Sequence, residues 1–305
     1  MQTRKTWLFA AIWTVLVVTA ITAAGFRLFE TLDPQNMGPW GTLPKSHLVH
    51  LLAYAIAAMF CCRIVADYPS RSPMRTAWSL LLASSLVAIL RNGYEYWVVL
   101  AGPVANMVPV WRHIPLLLSL LLLMAALLVM WRSLAALGFG LRFRLIDVAL
   151  MGMILCLAIW IWSLRSGLAD ASSPLAAVRV LQLLSPPLIA GSALLAVVLL
   201  RVSEEMDGGS LAVSLRYLVA FLVIRIALLA LAVTPGTRIS PAWSVVGSAV
   251  SSSYTWLFVL GVGHRWNVTA SAKDLQQRYQ ADPETGLAFL YGAKDRWIRG
   301  RAIVG

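Results

Sequence analysis

The third long apolar run of the chain is interrupted by Arg91-Asn92-Gly93-Tyr94-Glu95-Tyr96-Trp97, and the seventh by Arg225 within Val223-Ile224-Arg225-Ile226-Ala227. Ionisable side chains in apolar surroundings are costly, and they persist where they face protein or water. Arg91 and Glu95 stand four residues apart, so they share a helix face and can pair. Two arginines against one carboxylate leave a net positive site. Such a site suits a carboxylate, a phosphate or a lipid head group. Arg91, Tyr94, Glu95 and Arg225 are therefore the candidate ligand-binding residues. Two plainer readings compete. An Arg–Glu–Arg triad can simply fix helix packing, or Glu95 can be interfacial while Arg91 extends its head to the membrane edge.

The histidines offer a second chemistry. A b-type haem takes two imidazoles from facing helices at one depth, and His50 and His113 satisfy the depth condition. His47, three residues before His50, could instead share a metal with His113. The plain alternative is a set of interfacial histidines bonded to water beside Pro44, Lys45, Trp111 and Arg112. His264 stands apart from these three and reads as a helix-end cation. Cys61, Cys62 and Cys156 lie in apolar runs and form neither a disulfide framework nor a zinc spacing, so they are expected to be small buried hydrophobes. The hydroxyls of Ser251-Ser252-Ser253-Tyr254-Thr255 are expected to bond to their own helix or a neighbour. No nucleophile elbow, HExxH, P-loop or paired-carboxylate pattern is present.

The elements that must position these residues follow from composition. Of 305 residues, 60% are hydrophobic and 12% charged, about half the charged share of a soluble domain. Mean hydropathy is +0.78. These values exclude a soluble globular enzyme, a disordered chain and a disulfide scaffold. A membrane span needs about 20 apolar residues, and eight segments qualify, near 7–24, 47–66, 77–101, 112–132, 145–164, 178–200, 211–233 and 241–263. None alternates with period two, which argues against a β-barrel. Arg4, Lys5 and Thr22-Ala23-Ala24 give the first segment the look of a secretory signal, but its length favours a retained helix. The fourth segment, almost wholly apolar, is expected to face lipid broadly. Pro186-Pro187 in the sixth removes two donors and predicts a kink or a break.

The net charge of +12 reads as loop bias rather than as a nucleic-acid footprint. With both termini cytoplasmic, Lys and Arg concentrate roughly threefold on the inner side. Arg63, Arg71, Arg75, Arg132, Arg201, Arg216 and the basic tail then lie inside, and Arg165 and Arg179 lie outside. Arg91 sits roughly 21 Å above the entry of its span, Glu95 roughly 27 Å and Arg225 roughly 21 Å. The polar groups thus gather in the outer half. Four spans per half give both halves one orientation, unlike the odd-span inverted repeats typical of transporters.

After Trp266 the composition turns polar. Asp282-Pro283-Glu284-Thr285-Gly286-Leu287 resembles the Asp-Pro-Leu-Thr-Gly-Leu onset of diguanylate cyclase (GGDEF-type) domains, which in that family follows a helix leading out of a membrane sensor region. The resemblance covers about 15 residues and departs at Ala288-Phe289-Leu290, where the family has Asn-Arg. It implies a sensor region whose output domain is lost, truncated or separately supplied, and it carries over no cyclase activity. Lys294, Arg296, Arg299 and Arg301 around Trp297 form a segment able to lie on anionic inner-leaflet lipid or to dock a partner.

The reading is an all-α bundle of eight transmembrane helices over 1–266, with a basic cytoplasmic tail over 267–305. It is expected in a bacterial inner membrane. The expected function is a sensor or scaffold with a net-positive outer pocket for an anionic or lipid-like ligand. The pocket would be coupled to the tail and to a cytoplasmic signalling partner or larger membrane complex. A haem- or quinone-binding redox subunit and a transporter or lipid-handling protein are the alternatives. No nucleic acid is expected as a partner.

Overall fold

The computed structural model describes residues 2–32, 45–101, 110–135, 143–167, 176–205, 210–233 and 241–281, and among them every regular element is a helix. These are α1 (Gln2–Leu32), α2 (Lys45–Asp67), α3 (Pro73–Ala101), α4 (Val110–Ala135), α5 (Leu145–Gly167), α6 (Ala176–Glu205), α7 (Ser210–Val233), α8 (Pro241–Ser253) and α9 (Thr255–Ala281). A helix pairs all its backbone donors and acceptors within itself, which an apolar solvent requires. Local signals set several starts. Ser72 precedes Pro73, and its carbonyl accepts from Arg75 N at 3.0 Å. Proline at the first helical position forfeits only an N–H that has no helical partner. At α5 the Asp147 carboxylate reaches back to accept from Arg144 N at 2.8 Å, as in a capping box.

Six helices close a ring in the order α2, α3, α4, α6, α7, α9, with α9 returning to α2. α5 packs outside the ring on α6 and α7, and α1 packs outside it on α8 and α9. α3 and α7 are opposite members of this ring.

Eight spans were expected, and among the described residues seven helical stretches are long and apolar enough to cross a membrane. The first expected span, 7–24, is not among them; within α1 the described residues give the shorter apolar stretch Ala10–Gly25. The last span, Val245–Ala270, runs across the junction of α8 and α9. A second correction concerns lipid exposure. α4 belongs to the ring, whereas α5 is the peripheral helix, with Leu145, Ile146, Ile159 and Trp160 all exposed. Hydropathy does not separate the two, because a membrane helix is apolar on its lipid face and its protein face alike. Cys61 is buried as expected, but Cys62 and Cys156 are exposed. Of the kink or break expected at Pro186-Pro187, a break is absent, and α6 continues through both prolines.

The ring interior changes character along its axis. Near the starts of α3 and α9's partner helix α7, Trp78, Leu81, Met130, Leu215 and Phe258 pack around a void of only about 20 Å³. There α7 and α9 approach closely, and a Cβ built on Gly261 would sit 2.9 Å from the Ser214 carbonyl oxygen. Small residues permit such approaches in membrane bundles. Gly261→Ala is therefore expected to cost about 1–3 kcal/mol through forced separation of the two backbones, read as a lowered melting temperature in detergent. Gly247→Ala, with nothing within 4 Å, is expected to leave that temperature unchanged.

Candidate functional site

Toward the opposite end the bundle lines an open cavity of about 440 Å³. Arg91 enters it from α3, His113 from α4, Arg165 from α5, Gln182 and Ser185 from α6, and Arg225 from α7. Ser251 and Tyr254 complete it at the end of α8, with Leu116, Ile189, Leu228 and Leu229 as its apolar wall. No carboxylate is among these lining residues.

Each arginine is held differently. Arg91 and Arg225 come from opposite members of the ring, line one cavity and repel one another, while the Glu95 charge favours that of Arg91. The Arg91 Nε is buried with no hydrogen-bond partner among the described residues. The Arg225 guanidinium stands 5.9 Å from the Phe221 ring centroid, one turn earlier on α7. Arg165 owes its place to the two prolines. Pro186 has no N–H to give the carbonyl four residues before it, which is that of Gln182. That carbonyl instead accepts from Arg165 Nη1 at 2.5 Å and from Ser185 Oγ at 3.0 Å. Arg165 Nη1 also donates to Ser185 Oγ at 3.0 Å. The Gln182 side-chain amide donates to His113 Nε2 at 3.3 Å.

The last helix is interrupted beside the cavity. Tyr254 separates α8 from α9, and Leu257 N bonds to its carbonyl, three residues back, at 3.0 Å. Just before it, Ser253 Oγ donates to Ala249 O at 2.8 Å. Serine hydroxyls bonded back to the preceding turn compete with the helical ladder and bend helices. The Tyr254 ring stacks on Phe221 at 5.4 Å between centroids and 14° between planes. It therefore touches the α7 turn that precedes Arg225.

The expected site residues divide. Arg91 and Arg225 are brought together at the cavity. Glu95 is buried one turn beyond Arg91 but does not line the cavity. Tyr94 packs against Trp97, with ring centroids 6.2 Å apart, and is not among the lining residues either. His50 and His113 do not face a shared space. His113 lines the cavity, while His50 is buried, hydrogen-bonded through Nδ1 to Thr255 Oγ1 and set edge-on to Tyr254. Among the described residues no group of three or more His, Cys, Asp and Glu side chains could hold a metal ion, so His47, His50 and His113 are not gathered as a ligand set. Asn92 donates to its own helix at Ala88 O, 2.8 Å away. The Asp282–Leu287 string and the basic tail lie outside the described residues.

Sequence reasoning missed Arg165, Gln182 and Ser185. Arg165 read as a loop charge, and the prolines read as a kink. The usable signal was the orphaned carbonyl that Pro186 leaves on Gln182.

Seven helices with the length and apolarity of spans, several with large apolar side chains turned outward, define a helical multi-pass integral membrane protein. No protein-family model matches the chain, and no curated protein or solved structure matches it.

Proposed function

We propose that this chain is a membrane-embedded sensor module that takes an anionic group into the three-arginine cavity and relays its presence through α9. The observation that carries the reading is the cavity lining: Arg91, Arg165 and Arg225 converge there with no carboxylate among them. Like charges held close together in a partly buried space repel one another unless an anion joins them. Arginine is also the side chain best suited to planar, bidentate binding of phosphate and carboxylate.

Two features favour sensing over transport. Near Gly261 the ring interior is packed around a small apolar void. The cavity also touches the interruption at Tyr254, from which α9 runs to Ala281. An anion that alters Tyr254 acts on the start of a continuous helix. By the charge bias, the cavity opens to the outer half and α9 leaves on the cytoplasmic side of a bacterial inner membrane. The Asp282–Leu287 string then marks where an output unit or signalling partner would attach.

The test is a melting experiment on the full chain in zwitterionic-lipid nanodiscs. Dodecyl phosphate and dodecanoate are expected to raise the melting temperature, because they bind the folded state alone, and dodecyltrimethylammonium is not. Equal shifts from the cationic and anionic amphiphiles would defeat the anion-binding reading.

A further inference from the structure

The balance of charge around the cavity narrows the anion. Three arginines line it, and Arg165, at the end of α5, is tied down by neutral oxygens only in the bonds it makes to Gln182 and Ser185. The nearby carboxylate is Glu95, which is buried and acts on Arg91 from one turn away. Among the described residues, three positive charges then stand against one negative, which leaves two to be balanced. A carboxylate or a phosphodiester carries one negative charge and would leave one positive charge of the site unbalanced. A phosphomonoester carries nearly two at neutral pH and brings the site close to neutral.

Donor supply points the same way. The guanidinium groups, the Tyr254 and Ser251 hydroxyls and the free Arg91 Nε form a donor-rich, acceptor-poor lining. The three terminal oxygens of a phosphomonoester can accept from several arginines at once, whereas a carboxylate offers two oxygens in one plane. Size adds a third constraint. A cavity of about 440 Å³ lies in the range for an organic ligand, roughly 300–1,000 Å³. A phosphoryl group fills a small part of it, and Leu116, Ile189, Leu228 and Leu229 offer an apolar surface to whatever the phosphate is esterified to.

We infer that the anion taken by this cavity is a phosphomonoester dianion, the head of a lipid phosphate or a soluble phosphate, bridging Arg91 and Arg225 with Arg165 as the third contact. The inference rests on the anion-binding reading proposed above.

The experiment separates the two. Binding to the full chain in phosphatidylcholine nanodiscs is measured for dodecyl phosphate, methyl dodecyl phosphate and dodecanoate, which share one tail. Dodecyl phosphate is expected to bind at least about tenfold more tightly than either monoanion, as one further charge-assisted contact implies. Arg165→Gln is expected to weaken dodecyl phosphate more than dodecanoate and so to narrow that gap. Equal affinity for all three amphiphiles would overturn the dianion assignment and leave the anion-binding reading standing. No binding by any of them would overturn both. Inorganic phosphate and phosphatidic acid, run in parallel, identify the source. Tight binding of inorganic phosphate alone assigns a soluble phosphate, and binding that requires the acyl or alkyl chain assigns a lipid.

Discussion

Arg225→Leu is expected to lower affinity for an anionic amphiphile by on the order of 100-fold, the scale of truncating one partner of a buried charge pair. The same variant is expected to melt at an unchanged or higher temperature. Arg225 lines one cavity with Arg91, with no carboxylate among the described lining residues, so its removal relieves like-charge repulsion and a desolvation penalty. Binding sites commonly carry such destabilising groups. Arg91→Leu should behave otherwise. It also weakens binding, but it strips the buried Glu95 of a favourable charge and should lower the melting temperature. A purely structural triad makes the opposite forecast for Arg225, which would then be needed to hold the ring together. Paired melting and binding curves for the two variants separate the accounts.

The largest loss of stability is expected at the other end of the bundle. There Arg201 on α6 makes a two-pronged ion pair with Asp147 on α5, and Glu204 bridges Arg201 to Arg216 on α7. The side chains of Arg201 and Asp147 are only 9% and 5% exposed. Removing either partner of such a pair strands the other and costs about 3–5 kcal/mol. Arg201→Ala and Asp147→Ala should each lower stability by that amount, and the double variant by clearly less than the sum. Arg216→Ala should cost no more than about 1 kcal/mol, because its side chain is 61% exposed and surface pairs are weak. Unfolding in a denaturing detergent titration checks all four. An additive double variant would show that the pair does not tie α5 to the ring.

Much of the helical layout was legible because bilayer thickness and backbone pairing leave few choices. The long apolar runs and the interruptions at Arg91 and Arg225 both stand out in the sequence. Which helices form the ring was not legible. α4 and α5 have similar composition, and only packing puts one inside and the other on the surface. The charged pair Asp147–Arg201 was not legible, since 54 positions separate its members. Arg165 was hidden for a different reason. Its partner is a backbone carbonyl made available by a proline, and no side-chain pattern records that. The interruption at Tyr254 was not expected, although the three serines before it carry hydroxyls that compete with the helix they belong to.

The central claim is that Arg91, Arg165 and Arg225 surround an anion. The most direct measurement is an anomalous-diffraction map of crystals soaked in tungstate, a tetrahedral dianion. The expected result is a tungsten peak inside the cavity, within hydrogen-bond reach of Arg91 and Arg225, that disappears in Arg225→Leu. A cavity without a peak, with tungstate found only on the outer surface of the bundle, would contradict the account.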